Sequence, residues 1–176
     1  MTLVGVASPE GTERFRQRFS TLHPDHFRAL QDLWASSLGL GTYLGDATDA
    51  VDASYQDAIE AALASGCNLL DTAINYRCQR SERLIGRTLA AQIAAKTLMR
   101  EEVILCTKGG YIPFDEEVPA DPARYVVDQV INARLASYDE IVAGCHCLSP
   151  TFLDASLKTS LANLRVQTID VYYLHN

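Results

Sequence analysis

The chain has 176 residues, 48% of them apolar and 21% charged, the balance of an ordinary globular domain rather than of a disordered or fibrous one. Its 22 acidic and 15 basic residues give a formal charge of −7, which speaks against the basic surface that a general nucleic-acid binder needs. Apolar stretches are too short to span a bilayer, and the N-terminus, with Glu10, Glu13 and several arginines, lacks the apolar core of a secretion signal. A cytoplasmic location with no membrane or nucleic-acid partner is therefore expected.

Residues 1–35 are mixed and polar with scattered Phe15, Phe19, Phe27, Leu30 and Trp34, and read as a lead-in that lays a few aromatics against the main body. Within it, His23 and His26 read as exposed turn residues. Residues 36–43, Ser-Ser-Leu-Gly-Leu-Gly-Thr-Tyr, read as a short first strand whose Gly39 and Gly41 let another group approach the backbone. The Gly-x-Gly-x-x-Gly phosphate pattern is not met, because Leu44 takes the third glycine position. Residues 52–65 carry Tyr55, Ala58, Ile59, Ala62 and Leu63 on one helical face, with Gly66 placed to end the helix in a left-handed conformation.

A short apolar run, Cys67 to Leu70, then stops at Asp71, with Tyr76 five residues on. Ser81 is the expected N-cap of a helix to about Ala95 with Leu84, Ile85, Leu89 and Ile93 inward. The run 103–106 ends at Thr107-Lys108. Residues 109–148, with Gly109-Gly110, prolines 113, 119 and 122 and the acidic Asp115-Glu116-Glu117, read as an extended loop over the rim with a short helix from Pro122 to Asn132. Ser149-Pro150 starts a helix to about Leu164 with Leu153, Leu157, Leu161 and Leu164 inward, and a last strand over 169–174 meets His175.

Continuous apolar strands separated by helix-length crossovers are the pattern of a parallel sheet covered on both faces. The fold class is α/β: four strands and three intervening helices, half of a (β/α)8 TIM barrel or a small doubly wound sheet. In both, ligands bind beyond the carboxyl ends of the strands, so Asp71, Lys108 and His175 gather on one rim with Tyr76 above Asp71.

Such a set suits carbonyl reduction, in which negative charge develops on the substrate oxygen and a positioned proton donor is required. A free phenol is a sluggish acid at neutral pH, and a neighbouring ammonium strengthens it. Tyr76 is then the donor, Lys108 the cation beside it, Asp71 the anchor of that lysine and His175 the group that orients the oxygen. Taken singly, each residue has a plainer reading as a cap or surface group; their placement at successive strand ends favours the site.

The cysteines, Cys67, Cys78, Cys106, Cys145 and Cys147, are odd in number and accompany no secretion signal, so reduced thiols are expected. Cys145-His146-Cys147 is too closely spaced for a typical zinc motif and has no second Cys/His pair, so no metal is expected there.

The segments GLGTYLG, NLLDTAINY, SERLIG, ILCTKGG and SLANLRVQTIDVYYLHN resemble the N-terminal half of the aldo-keto reductases over roughly residues 36–176. The resemblance implies an NADP(H)-dependent barrel, with NAD(H) an open alternative. It places the family's catalytic tetrad on Asp71, Tyr76, Lys108 and His175, and cofactor contacts on Gly41, Thr42, Tyr43 and Asp71. It also implies that much of the cofactor site follows the fourth strand, so a truncated half is expected. The competing reading is a non-catalytic half-barrel that binds itself or a C-terminal-half partner, because four strands cannot close a barrel of eight. A flavodoxin-like binding domain ranks below both, as no glycine-rich phosphate loop follows the first strand.

Overall fold

The computed structural model describes residues 2–175. A helix α1 (Pro9–Arg18) opens the chain, with Ser8 accepting from the Gly11 N–H and proline in its first turn. A hairpin follows, β1 (Phe27–Leu30) and β2 (Leu33–Ser36), antiparallel through a left-handed Gln31. Then come β3 (Leu40–Gly41), α2 (Asp49–Ala64), β4 (Leu69–Asp71), α3 (Arg80–Ala94) and β5 (Ile104–Gly109). The rim segment holds α4 (Pro122–Val126), a π-helical turn over Val127–Ile131, and a small hairpin of β6 (Ile141–Val142) and β7 (His146–Cys147). Helix α5 (Pro150–Leu164) and β8 (Val171–Leu174) complete it.

Strands β3, β4, β5 and β8 form one parallel sheet in that order, an arc of four barrel strands joined by helices, as expected. Its outer face packs Leu70, Leu105 and Val103 against Ile59 and Leu63 of α2 and Leu84, Ile85 and Leu89 of α3. On its inner face Ile104 and Cys106 meet Ala7 and Ala35, so the N-terminal segment plugs the bottom of the arc.

The N-terminal segment is more than a lead-in with stray aromatics. Phe15 and Phe27 lie in the main core, and Arg14 and Arg18 donate to Glu102 at 2.9 and 2.8 Å. Helix α1 lies flush on the turn at 100–102, because a side chain at Gly11 would run into the Glu101 carbonyl. His26 is also no free turn residue: its Nε2 bonds the Gly66 carbonyl at 3.0 Å, where Gly66, at φ 89°, ends α2 as expected.

Four local expectations need correction. The close approach is at Gly39, whose added Cβ would stand 2.6 Å from Leu69, whereas one on Gly41 would meet nothing within 4 Å. Ser81 does not cap α3. Arg77, Cys78 and Gln79 are all left-handed (φ 49°, 53° and 68°), which starts the helix at Arg80 and turns the Ser81 hydroxyl inward to the Thr42 carbonyl at 2.7 Å. The buried stripe of α5 is Phe152, Ser156, Ser160, Asn163 and Leu164, while Leu153, Leu157 and Leu161 are only partly covered. The end of α5 crosses α3 at Gly86 in backbone contact, with Asn163 O only 2.5 Å from where a Gly86 Cβ would stand, and that crossing turns Asn163 and Leu164 inward.

The fourth concerns residues 109–148: the short helix expected from Pro122 is present as α4 and the π-helical turn to Ile131, but the rest is a hairpin and a packed segment rather than an extended loop. Ile112, Val126, Val130, Cys147 and Phe152 make a satellite core, and Arg80 and Arg83 pair with Glu116 to fasten the segment to α3. No helix among the described residues is long and apolar enough to cross a membrane.

Candidate functional site

Register brings the site together. Asp71 ends β4 opposite Gly41 on one side and Cys106 on the other; Lys108 lies two residues past Cys106 and opposite Tyr173. Residues two apart share a face, so Asp71, Lys108, Tyr173 and, two further, His175 all point to the concave side. They line an open cleft of about 420 Å³ with Leu174.

Lys108 Nζ has three acceptors: Asp71 Oδ1 at 2.6 Å, the Thr72 carbonyl at 2.7 Å and the Tyr76 hydroxyl at 3.2 Å. An ammonium has three N–H groups and all are engaged. The Tyr76 oxygen, accepting from the lysine, keeps its own O–H free to donate. The Tyr76 ring lies edge-on to His175 at 5.7 Å and to Tyr43 at 5.0 Å.

His175 continues β8 through its N–H to the Gly109 carbonyl at 2.8 Å. Burial, with Lys108 and His146 adding repulsion against an opposing Asp71, pulls its imidazole below the ordinary histidine range, which favours the neutral ring. Its Nδ1 is buried without a partner among the described residues.

The four expected tetrad residues therefore converge. The expected cofactor contacts divide. Gly41 and Tyr43 are exposed beside Asp71, but the Thr42 side chain is fully buried, its hydroxyl 2.9 Å from that of Thr72, so it braces the strand end from behind. A Cβ on Gly41 would meet nothing within 4 Å, which leaves open space beside Asp71 for a flat ring such as a nicotinamide's, while the cleft lining holds one cation, Lys108, already committed to Asp71. Among the described residues no group of three or more His, Cys, Asp or Glu side chains could hold a metal, and all five cysteines are unpaired.

Tyr111 and His146 were missed as neighbours of His175, although the same pattern of a strand followed by a polar residue points to Tyr111 just past β5. Glu82, beneath the rim, was missed as well. It is fully buried, accepts from Thr107 Oγ1 at 2.7 Å and Asn163 Nδ2 at 3.0 Å, and burial pushes its carboxyl above the ordinary range.

Comparison with known proteins gives one consistent match. The family model described as "Aldo/keto reductase family" matches residues 37–176. A 6-dehydroglucose reductase from Novosphingobium aromaticivorans is 32% identical over 123 residues, 66% of this chain and 30% of that protein. An aldo-keto reductase from Bacillus halodurans, solved in its holo form, aligns at 28% identity and TM-score 0.52 over 85% of this chain and 39% of that one. A glycerol dehydrogenase from Gluconobacter oxydans aligns at 25% identity and TM-score 0.55 over 87% and 40%. The chain spans less than half the length of each of these relatives.

Proposed function

Since the chain belongs to the aldo/keto reductase family and carries a partial barrel of that fold, we propose that it contributes the catalytic rim of an NADP(H)-dependent reduction of an aldehyde or ketone to an alcohol. The observation that carries this reading is the three-way contact of Lys108 with Asp71, Thr72 and Tyr76, which leaves the Tyr76 proton directed to a substrate. A nicotinamide dinucleotide bound against Gly41, Tyr43 and Asp71 supplies the reducing equivalent.

The chain's own residues handle the proton and the charge. Tyr76 gives its hydroxyl proton to the carbonyl oxygen as negative charge develops there. The phenolate left behind is stabilised by the Lys108 ammonium at 3.2 Å, and Asp71 keeps that ammonium in place. Neutral His175, edge-on to Tyr76, presents a ring N–H to orient the same oxygen.

The test is a fluorescence titration of the purified chain with NADPH, followed by carbonyl-dependent NADPH oxidation, with Tyr76→Phe alongside. Saturable binding, with turnover that falls about 10²-fold or more in the variant, supports the reading. Full activity in the variant removes the role given to Tyr76.

A second reading is favoured by the edge strand. Tyr173 and Leu174 of β8 and Leu38 and Leu44 beside β3 are exposed apolar groups at the two open ends of the arc. A binding half-barrel that pairs with another chain would cover them. Light scattering decides: a cooperative monomer argues against an obligatory partner.

A further inference from the structure

The Cys-His-Cys sequence of the rim hairpin has no part in the chemistry above, yet it reaches the site. His146 pairs with Val142 across the hairpin and bridges to Tyr111, while Cys147 N donates to the Gly110 carbonyl at 2.8 Å. That framework sets His146 Nε2 2.5 Å from the His175 carbonyl oxygen. A carbonyl only accepts, so Nε2 carries a proton whether the His146 ring is neutral or charged.

Three further features bear on the same spot. The Tyr111 ring stands edge-on to His146 at 5.0 Å and 83° and to His175 at 4.9 Å and 79°. The His175 ring thus has one tyrosine, Tyr111, on its rim-segment side and another, Tyr76, on its site side. Gly110, at φ 137°, provides the room: a Cβ there would lie 2.9 Å from His146 Nε2 and 3.0 Å from His175 O. The His175 backbone is therefore held at both ends, its N–H by Gly109 and its carbonyl by His146. Among the described residues its ring has no such hold at the buried Nδ1, and histidine χ2 is intrinsically broad.

We propose that His146 and Tyr111 are positioning residues, which fix the backbone and the ring plane of His175 edge-on beside the Tyr76 ring. The inference rests on the carbonyl-reductase reading only for what His175 does once positioned. It gives the rim hairpin a purpose: the 109–148 segment carries the two side chains that hold the end of β8.

The experiment is NMR of the ¹⁵N/¹³C-histidine-labelled 176-residue chain, reading the His146 tautomer and the order parameter of the His175 ring. In the wild type His146 carries its proton on Nε2 and the His175 ring is ordered. His146→Gln, which keeps an amide donor, and Tyr111→Phe, which keeps the ring, retain that order. His146→Ala and Tyr111→Ala let the His175 ring order parameter fall well below its wild-type value, with far-UV circular dichroism unchanged. An Nδ1–H tautomer of His146 in the wild type overturns the proposal without any variant having to fold. So does a His175 ring equally ordered in both alanine variants, or mobile throughout. Because the readout involves neither turnover nor cofactor, an inactive chain with an ordered His175 would count against the reductase reading and leave this one standing.

Discussion

Lys108 and Asp71 stand two residues out of register on neighbouring strands, yet the lysine folds back so that its Nζ lies 2.6 Å from Asp71 Oδ1. The stem spans the offset, and the ammonium arrives where it also meets Tyr76. A shorter or uncharged side chain cannot make both contacts.

Lys108→Met is therefore expected to lower kcat by about 10²-fold or more while changing KM little, as for loss of a group that acts on the proton-transfer step. Steady-state kinetics of the cofactor-competent protein check this. A variant that raises KM and leaves kcat unchanged would assign Lys108 to binding instead.

Glu82 predicts a pH effect on stability. Burial raises its folded-state pKa above the ordinary value near 4.5, so the folded chain keeps a proton that the unfolded chain has released. Stability from this group is fully present below that ordinary value and declines as pH rises toward the folded pKa, by about 1.4 kcal/mol per pH unit within that window. Glu82→Gln, offering its oxygen to Asn163 and its amide to Thr107, should remove the slope. Urea unfolding of both proteins between pH 4 and pH 8 measures it.

Asp52 predicts the opposite sign. Burial alone would raise its carboxyl, but hydrogen bonds from Arg77 at 2.5 Å and Arg80 at 2.8 Å outweigh burial and hold it below the ordinary value of 3.8. Its contribution is present above that value and is lost as pH falls through the folded pKa. Asp52→Ala should cost about 3–5 kcal/mol near neutrality, because it strands the buried Arg77 guanidinium, and should blunt acid unfolding. Chemical denaturation at pH 7 and pH 3 compares the two.

Phe15→Ala tests whether the N-terminal helix belongs to the domain. The residue is 1% exposed and its ring packs tilted against Phe19 at 5.0 Å, so truncation should cost about 3–5 kcal/mol. A change below about 0.5 kcal/mol in the urea transition would mean that α1 is an appendage.

Much of the fold is legible in the chain because its cues are local. Continuous apolar runs at 103–106 and 171–174 are strands, Ser149-Pro150 caps α5, and Gly66 ends α2. The misreadings are those where a distant partner decides. Leu153 and Leu157 fit a helical stripe, but the packing of α5 across Gly86 of α3 buries Phe152, Ser156, Ser160, Asn163 and Leu164 instead. Ser81 has capping chemistry, but the left-handed run 77–79 gives it to Thr42.

The amino-acid sequence alone determines the continuous apolar runs that hand over to Asp71, Lys108 and His175 at strand ends, since parallel strands carry their chemistry beyond their carboxyl termini. Only the tertiary structure decides which groups meet there. Strand register and a folded-back lysine join Asp71 to Tyr76 across 37 and 32 residues of sequence separation from Lys108. The rim segment folds far enough to bring His146 to His175, 29 residues away. The His146 contact depends on how the rim segment packs rather than on any local pattern, so no reading of spacing along the chain could have placed it.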